Sequence, residues 1–152
     1  MVAHLVIVLF ALVASLAPSR ARACSCDGQR SPMDAFHAAS AVFEGRVTEI
    51  APVGPAGNEA AELAVTLTTV RTWKGAEQER VTIRTASDGS ACGFAFRLDE
   101  SYLVYAVGDA GLSAVTSCGR TRTLAEAADD LRALGLGVTP FEPERPAKAK
   151  DE

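Results

Sequence analysis

Histidine is almost missing from this chain. Two occur in 152 residues, and only His37 lies beyond residue 23. A lone histidine in a segment without a nucleophile motif excludes a Ser-His-Asp triad. It also leaves too few ligands for a zinc site of the chain's own. The expectation is a protein that is not an enzyme and has no cofactor of its own. Basic runs are absent as well. Lys and Arg number 15 against 19 Asp and Glu, so nucleic acid and anionic lipid are poor partners. Paired carboxylates do occur. Asp129-Asp130 reads as the solvent face of a terminal helix, and Asp99-Glu100 as the turn before Tyr102. No apolar run is long enough to span a bilayer, because Leu5 to Ala17 covers only 13 residues.

That apolar run has another use. It is the size of a signal h-region, and Ala21-Arg22-Ala23 supplies the small residues of an A-x-A cleavage site. Residues 1–23 are therefore expected to be a signal peptide. Its removal leaves 129 residues with 13 basic and 19 acidic side chains, a net charge of −6. The new N-terminus would be Cys24-Ser25-Cys26. The expected location is secreted, either extracellular or periplasmic, with no membrane span after cleavage. A lipid anchor on Cys24 is the alternative, because a Cys directly follows the h-region.

The four cysteines are Cys24, Cys26, Cys92 and Cys118. An even number in an exported chain argues for disulfides. A bond between Cys24 and Cys26 would strain so short a loop, so each is expected to reach Cys92 or Cys118. Either arrangement closes loops of roughly 65–95 residues, worth at most about 4–5 kcal/mol each by chain entropy.

Ser31-Pro32-Met33-Asp34 reads as a helix start, with Ser31 as cap, Pro32 at the first position and Asp34 at the positive end; the helix runs to about Ala39. Strands are expected at Ala41–Ile50, Glu62–Trp73, Arg80–Thr85, Tyr102–Val107 and Leu112–Thr116. The first places Phe43, Gly45 and Val47 on one face, with Glu44, Arg46 and Thr48 on the other. The fourth is apolar on both faces, and a turn at Gly108–Gly111 makes a hairpin with the fifth. Thr123 and Glu126 fit a capping box. Leu124, Ala127, Ala128, Leu131 and Leu134 then form an apolar stripe that Gly135 ends. Trp73, Tyr102 and Tyr105 read as core residues, with a ligand-stacking face as the alternative. Five strands flanked by helices suit a small barrel of the OB type. Residues 24–137 are read as one domain and 138–152 as a disordered charged tail.

Taken in order, these residues resemble the inhibitory N-terminal domain of the tissue inhibitors of metalloproteinases, a netrin-like fold on an OB barrel. Cys24-Ser25-Cys26 matches the family's terminal Cys-x-Cys. Pro32-Met33-Asp34-Ala35-Phe36 resembles Pro-Gln-x-Ala-Phe, and Ala41 to Val47 matches the strand after it. Trp73-Lys74-Gly75 resembles Phe-Lys-Gly, Ala91-Cys92-Gly93 resembles Leu-Cys-Gly, and Tyr102-Leu103-Val104 resembles Tyr-Leu-Ile. Cys118 and Asp130-Leu131 fall where the family has its next Cys and a Trp-x-x-Leu stretch.

The resemblance implies a mainly β, five-stranded OB-fold barrel with disulfides Cys24–Cys92 and Cys26–Cys118. It implies a monomeric metalloendopeptidase inhibitor. The amine and carbonyl of the mature Cys24 would chelate the target protease's catalytic zinc. Ser25 would enter the pocket beyond the scissile bond, and Cys26 and Asp27 would form the ridge behind it. A non-inhibitory netrin-like binding module of the cell envelope is the other expectation. Three departures stand out. His37 replaces a third cysteine, Asp27-Gly28 follows Cys26 without the family's ridge proline, and no cysteine-rich segment follows Cys118.

Overall fold

The computed structural model describes residues 24, 26, 28, 30–54, 61–108 and 113–139. The expected signal segment, Ser25, Asp27, most of the Gly108–Gly111 turn, Leu112 and the tail from Pro140 lie outside the described residues.

Helix α1, Pro32–Ala38, forms as the sequence signals require. The Ser31 hydroxyl accepts from the Asp34 amide at 3.2 Å, and Pro32 occupies the first turn. Strands β1 (Ala41–Val53), β2 (Glu62–Lys74), β3 (Arg80–Ala86), β4 (Ser101–Ala106) and β5 (Arg122–Thr123) make one antiparallel sheet in the order β3-β2-β1-β4-β5. Helix α2, Ala128–Leu134, packs over it beside α1.

β1 is longer than its apolar core because the hairpin with β2 continues from Val42↔Lys74 to Val53↔Glu62. Three register irregularities interrupt that pairing. Bulges of this kind curl a sheet. Ala41, Val42, Phe43, Glu44 and Gly45 are all buried, because this end of the strand is covered on both faces. β2 keeps its period of two over Val65, Leu67 and Thr69 and then loses it, Thr72 being the next buried residue.

The sheet separates two apolar clusters. Phe43, Val47, Leu67, Ile83, Tyr102 and Val104 fill one side. Val42, Leu103, Tyr105, Ala35, Ala39 and Ala127 fill the side that the helices cover, joined by Phe36, Trp73, Leu131 and Leu134. β1 and β4 thus contribute to both clusters, as the double-sided apolar pattern of β4 anticipates. Each large apolar side chain wholly removed from water contributes about 1.5–3 kcal/mol before entropy is counted.

Two expectations about the sheet need correction. It is not closed into a barrel. β3 and β4 meet no common strand; residues 113–116 bridge them at single points, Ala114 pairing with Val107 and with Arg84. Hydrogen bonds from the Arg84 amide to the Ser113 carbonyl (2.9 Å) and from the Val115 amide to the Arg84 carbonyl (2.8 Å) span the gap without a continuous ladder. The expected strand Leu112–Thr116 is therefore a bridging segment, and the fifth strand is Arg122–Thr123 against Leu103 and Tyr102. The terminal helix also starts later than expected. Thr123 is held in the sheet, so Leu124–Glu126 forms a 3₁₀ turn and α2 begins at Ala128. The Thr123 hydroxyl donates to the Glu126 carboxylate at 3.0 Å and makes no capping bond to the backbone. Gly135 ends α2 at φ 74°, a left-handed angle that suits glycine.

Candidate functional site

Cys24 is bonded to Cys92 and Cys26 to Cys118, with Cα atoms 5.5 Å and 5.2 Å apart across the two bridges. This is the pairing that the family resemblance implies. The two partner loops are themselves joined. The Ser117 amide donates to the Cys92 carbonyl at 2.9 Å, and Gly93 bridges Thr116. Both disulfides therefore emerge from one corner of the fold.

The loop carrying Cys92 is built tightly. The Asp88 side chain accepts from the Ala91 amide at 3.0 Å, and the Asp88 carbonyl accepts from the Gly93 amide at 3.0 Å. Cys92 sits at φ 63°, in the left-handed region. Gly93 has no room for a side chain: a Cβ there would lie 2.2 Å from the Ala86 carbonyl oxygen and 2.7 Å from that of Asp88. The Cys-Gly pair thus belongs to the anchor of the N-terminal segment.

From Cys24 the chain runs outward. Cys24 is half-buried, while Cys26, Gly28 and Arg30 are exposed. The Gly28 amide donates to the Cys26 carbonyl at 2.9 Å, making a tight turn. Arg120, two residues beyond Cys118, donates from Nη1 to the Arg30 carbonyl at 2.7 Å. The stretch from Cys26 to Arg30 is thereby held at both ends, by a disulfide and by a guanidinium. Ser25 and Asp27, the expected pocket and ridge residues between these points, lie outside the described residues.

Arg120 is itself fixed from behind. Asp130 on α2 is fully buried, and its carboxylate accepts from Arg120 Nε and from Arg120 Nη2 at 3.0 Å. The Tyr105 hydroxyl donates to the same carboxylate at 2.8 Å, and Arg122 Nε lies 3.7 Å away. Burial, and then the adjacent Asp130 carboxylate, push the Tyr105 hydroxyl well above the usual phenol range. Tyr102 is raised too, by burial and by its hydrogen bond to Glu100. The neutral forms of both phenols are favoured.

No protein-family model and no curated protein matches the chain.

Asp130 departs most from the sequence expectation. Asp129 is solvent-exposed as anticipated, but Asp130 is not. A signal was present: Asp130 stands three residues after Ala127 and four before Leu134, on the buried stripe of the helix. An acid on such a stripe calls for a buried cation, and Arg120 supplies it. The three aromatic residues do not share a face. Tyr102 lies in the cluster on the far side of the sheet, whereas Tyr105 and Trp73 lie under the helices. Trp73 Nε1 donates to the Gly135 carbonyl at 3.0 Å, and the Arg71 guanidinium stacks 5.2 Å from its ring. His37 packs edge-on to Phe36 and has its carbonyl bound by Lys74. Glu44, expected opposite the core, is buried and paired with Arg71 at 2.6 Å.

Proposed function

We propose that the chain is an exported inhibitor of zinc metalloendopeptidases, acting through the backbone end of a mature Cys24. One observation carries this reading. Two disulfides from adjoining loops pin Cys24 and Cys26 at a single corner, where Cys26, Gly28 and Arg30 are exposed. A staple needed only for stability has no reason to place two of its four cysteines one residue apart at an exposed terminus. The kinship that the motifs suggest, to netrin-like domains and OB-related sheets, fits the strand order and the bridging at Ala114.

A catalytic zinc keeps a coordination position open for water or substrate. In the proposed complex the Cys24 amine nitrogen and carbonyl oxygen take that position and displace the nucleophilic water. The Cys24 sulfur takes no part, since it is shared with Cys92. The bridges instead reduce the ordering cost of binding. A free α-amine titrates near pH 7.7–8.0, and only its neutral form ligates metal, so affinity weakens as pH falls through that range. Ser25 would enter the adjoining specificity pocket. It is small enough for many pockets and gains little from any.

A lipid thioether at Cys24 would compete with the Cys24–Cys92 bond for the same sulfur, which weighs against the anchored alternative. Among the described residues no helix is long and apolar enough to cross a membrane.

The test is a pair of proteins, one beginning at Cys24 and one carrying an additional Ala before it. Both should fold with the same two disulfides. The first should inhibit at least one member of a panel of zinc endopeptidases, and the extension should weaken that inhibition by at least about a hundredfold, or ~2.7 kcal/mol. Equal inhibition by both would dismiss chelation. No inhibition by either would leave a non-inhibitory binding module.

A further inference from the structure

We propose that the groove beside the ridge docks an acidic segment of the partner polypeptide. This deepens the inhibitory reading and rests on it for the identity of the partner. The groove has a volume of about 510 Å³ and lies between α1, the end of β4 and the Thr116–Arg122 stretch. Its floor is made small by Ala35, Ala38 and Ala39. Its polar lining is unbalanced. Among the described residues that line it there are three arginines, Arg30, Arg120 and Arg122, and no acid. That is unusual on a chain whose mature net charge is −6.

The three arginines differ in what they have left to offer. All three guanidinium nitrogens of Arg120 are used, on Asp130 and on the Arg30 carbonyl. Arg122 uses Nε on the Arg120 carbonyl at 3.3 Å, and its terminal nitrogens make no hydrogen bond to a described residue. Arg30 is exposed, and its side chain has no acidic partner among the described residues. The single charge of Asp130 is shared from behind the groove wall between Arg120 and, at 3.7 Å, Arg122 Nε, leaving a net charge of two over the three arginines. Arg30 and the terminal nitrogens of Arg122 therefore remain to receive carboxylates, beside a floor of small apolar residues. The chemistry fits Asp or Glu spaced by small residues such as Ala or Gly.

The position selects a polypeptide over a free small anion. Cys26 belongs both to the groove's lining and to the expected ridge, and the lining residue Cys118 is bonded to it. A protease seated on the ridge lies across the groove mouth, and an acidic loop beside its cleft would enter. Charges at such a rim act chiefly on the association rate and make it salt-dependent.

The probe is a fluorescein-labelled peptide of alternating Ala and Asp, with an Ala-Asn counterpart. Both are titrated by anisotropy against the mature protein with its disulfides intact. The Asp peptide should bind about tenfold more tightly than the Asn peptide at low salt, and less tightly as salt rises. Arg30→Glu, a change at an exposed side chain with no hydrogen bond or ion pair among the described residues, should remove most of that preference, and adding Arg122→Gln the rest. Arg132→Glu, on the exposed face of α2, serves as control and should change nothing. Where a protease is inhibited, Arg30→Glu should also slow association at low salt. No saturable binding, binding indifferent to Arg30→Glu, or complete displacement by an equal concentration of citrate would overturn the proposal. Peptide binding that depends on Arg30 in a protein that inhibits no protease would uphold the groove and sink only the inhibitory reading. Inhibition indifferent to Arg30→Glu in both rate and peptide binding would do the reverse.

Discussion

Replacing Asp130 with Ala tests how the ridge is supported. The Asp130 carboxylate is fully removed from solvent and accepts two hydrogen bonds from Arg120 and one from Tyr105. Its loss leaves the Tyr105 hydroxyl without its partner and Arg120 with a charge that is mostly enclosed, the Arg120 side chain being 14% exposed. Breaking a buried ion pair from one side costs about 3–5 kcal/mol. The remaining exposure of Arg120 favours the lower end, about 3 kcal/mol. For a domain of this size that corresponds to a fall of roughly 10–15 °C in Tm. The assay is thermal and urea unfolding of the oxidised protein, run as a double-mutant cycle with Arg120→Met. The pair Arg120→Met with Asp130→Ala removes both charges together and should recover at least half of the single-variant loss, because the enclosed Arg120 charge is then no longer stranded. Hydrogen exchange adds a local reading: the Gly28 amide should lose protection in the Asp130 variant, since Arg120 no longer holds the Arg30 carbonyl in place. A loss below about 1 kcal/mol, or strict additivity in the cycle, would refute the idea that these groups act as one unit.

Further outcomes follow from other parts of the fold. Gly93→Ala should destabilise by about 3 kcal/mol and lower the yield of correctly paired Cys24–Cys92 in refolding, measured by peptide mapping, because the new Cβ meets two backbone carbonyls that cannot move aside. Stability should decline with alkali. Tyr105 and Tyr102 hold their protons more tightly when folded than when unfolded, so their contribution is complete below about pH 10 and is lost as pH climbs through the raised folded values. Urea unfolding from pH 9 to 12 should show this decline, shallower in Tyr105→Phe; an unchanged slope in that variant would contradict the assignment.

The sheet could be read from the sequence wherever one rule governed a segment. β2 alternates cleanly over its middle, and Val65, Leu67 and Thr69 are buried as the period demands. α1 carries its own start signals in Ser31, Pro32 and Asp34. β4 reveals its position next to β1 because it packs on both sides. Legibility fails where tertiary pairing overrides local pattern. Alternation places Glu44 opposite Phe43, but it carries no sign that this second face of β1 is covered too, so the burial of Glu44 against Arg71 was not legible. Pairing of Thr123 with Tyr102 delays a helix whose capping residues were in place. A bridging segment at Ala114 replaces a strand that the closing hairpin implied. At the site, the cysteines announced themselves by position, but spacing alone left their pairing open between Cys92 and Cys118. Arg120 was silent for a different reason. Its role depends on Asp130, and only the helical phase of Ala127, Asp130 and Leu134 hinted that this acid turns inward.

The most direct measurement of the proposed chelation is the absorption spectrum of a Co(II)-substituted zinc endopeptidase that the protein inhibits. Binding of the form that begins at Cys24 should replace the metal-bound water with an amine nitrogen and a carbonyl oxygen, altering the visible cobalt bands, and the change should fade as pH falls below the α-amine range. The Ala-extended form should leave the bands as they are in the free enzyme. Inhibition by the Cys24 form with no spectral change would contradict the account, since the protease would then be blocked without any ligand from Cys24 reaching its metal.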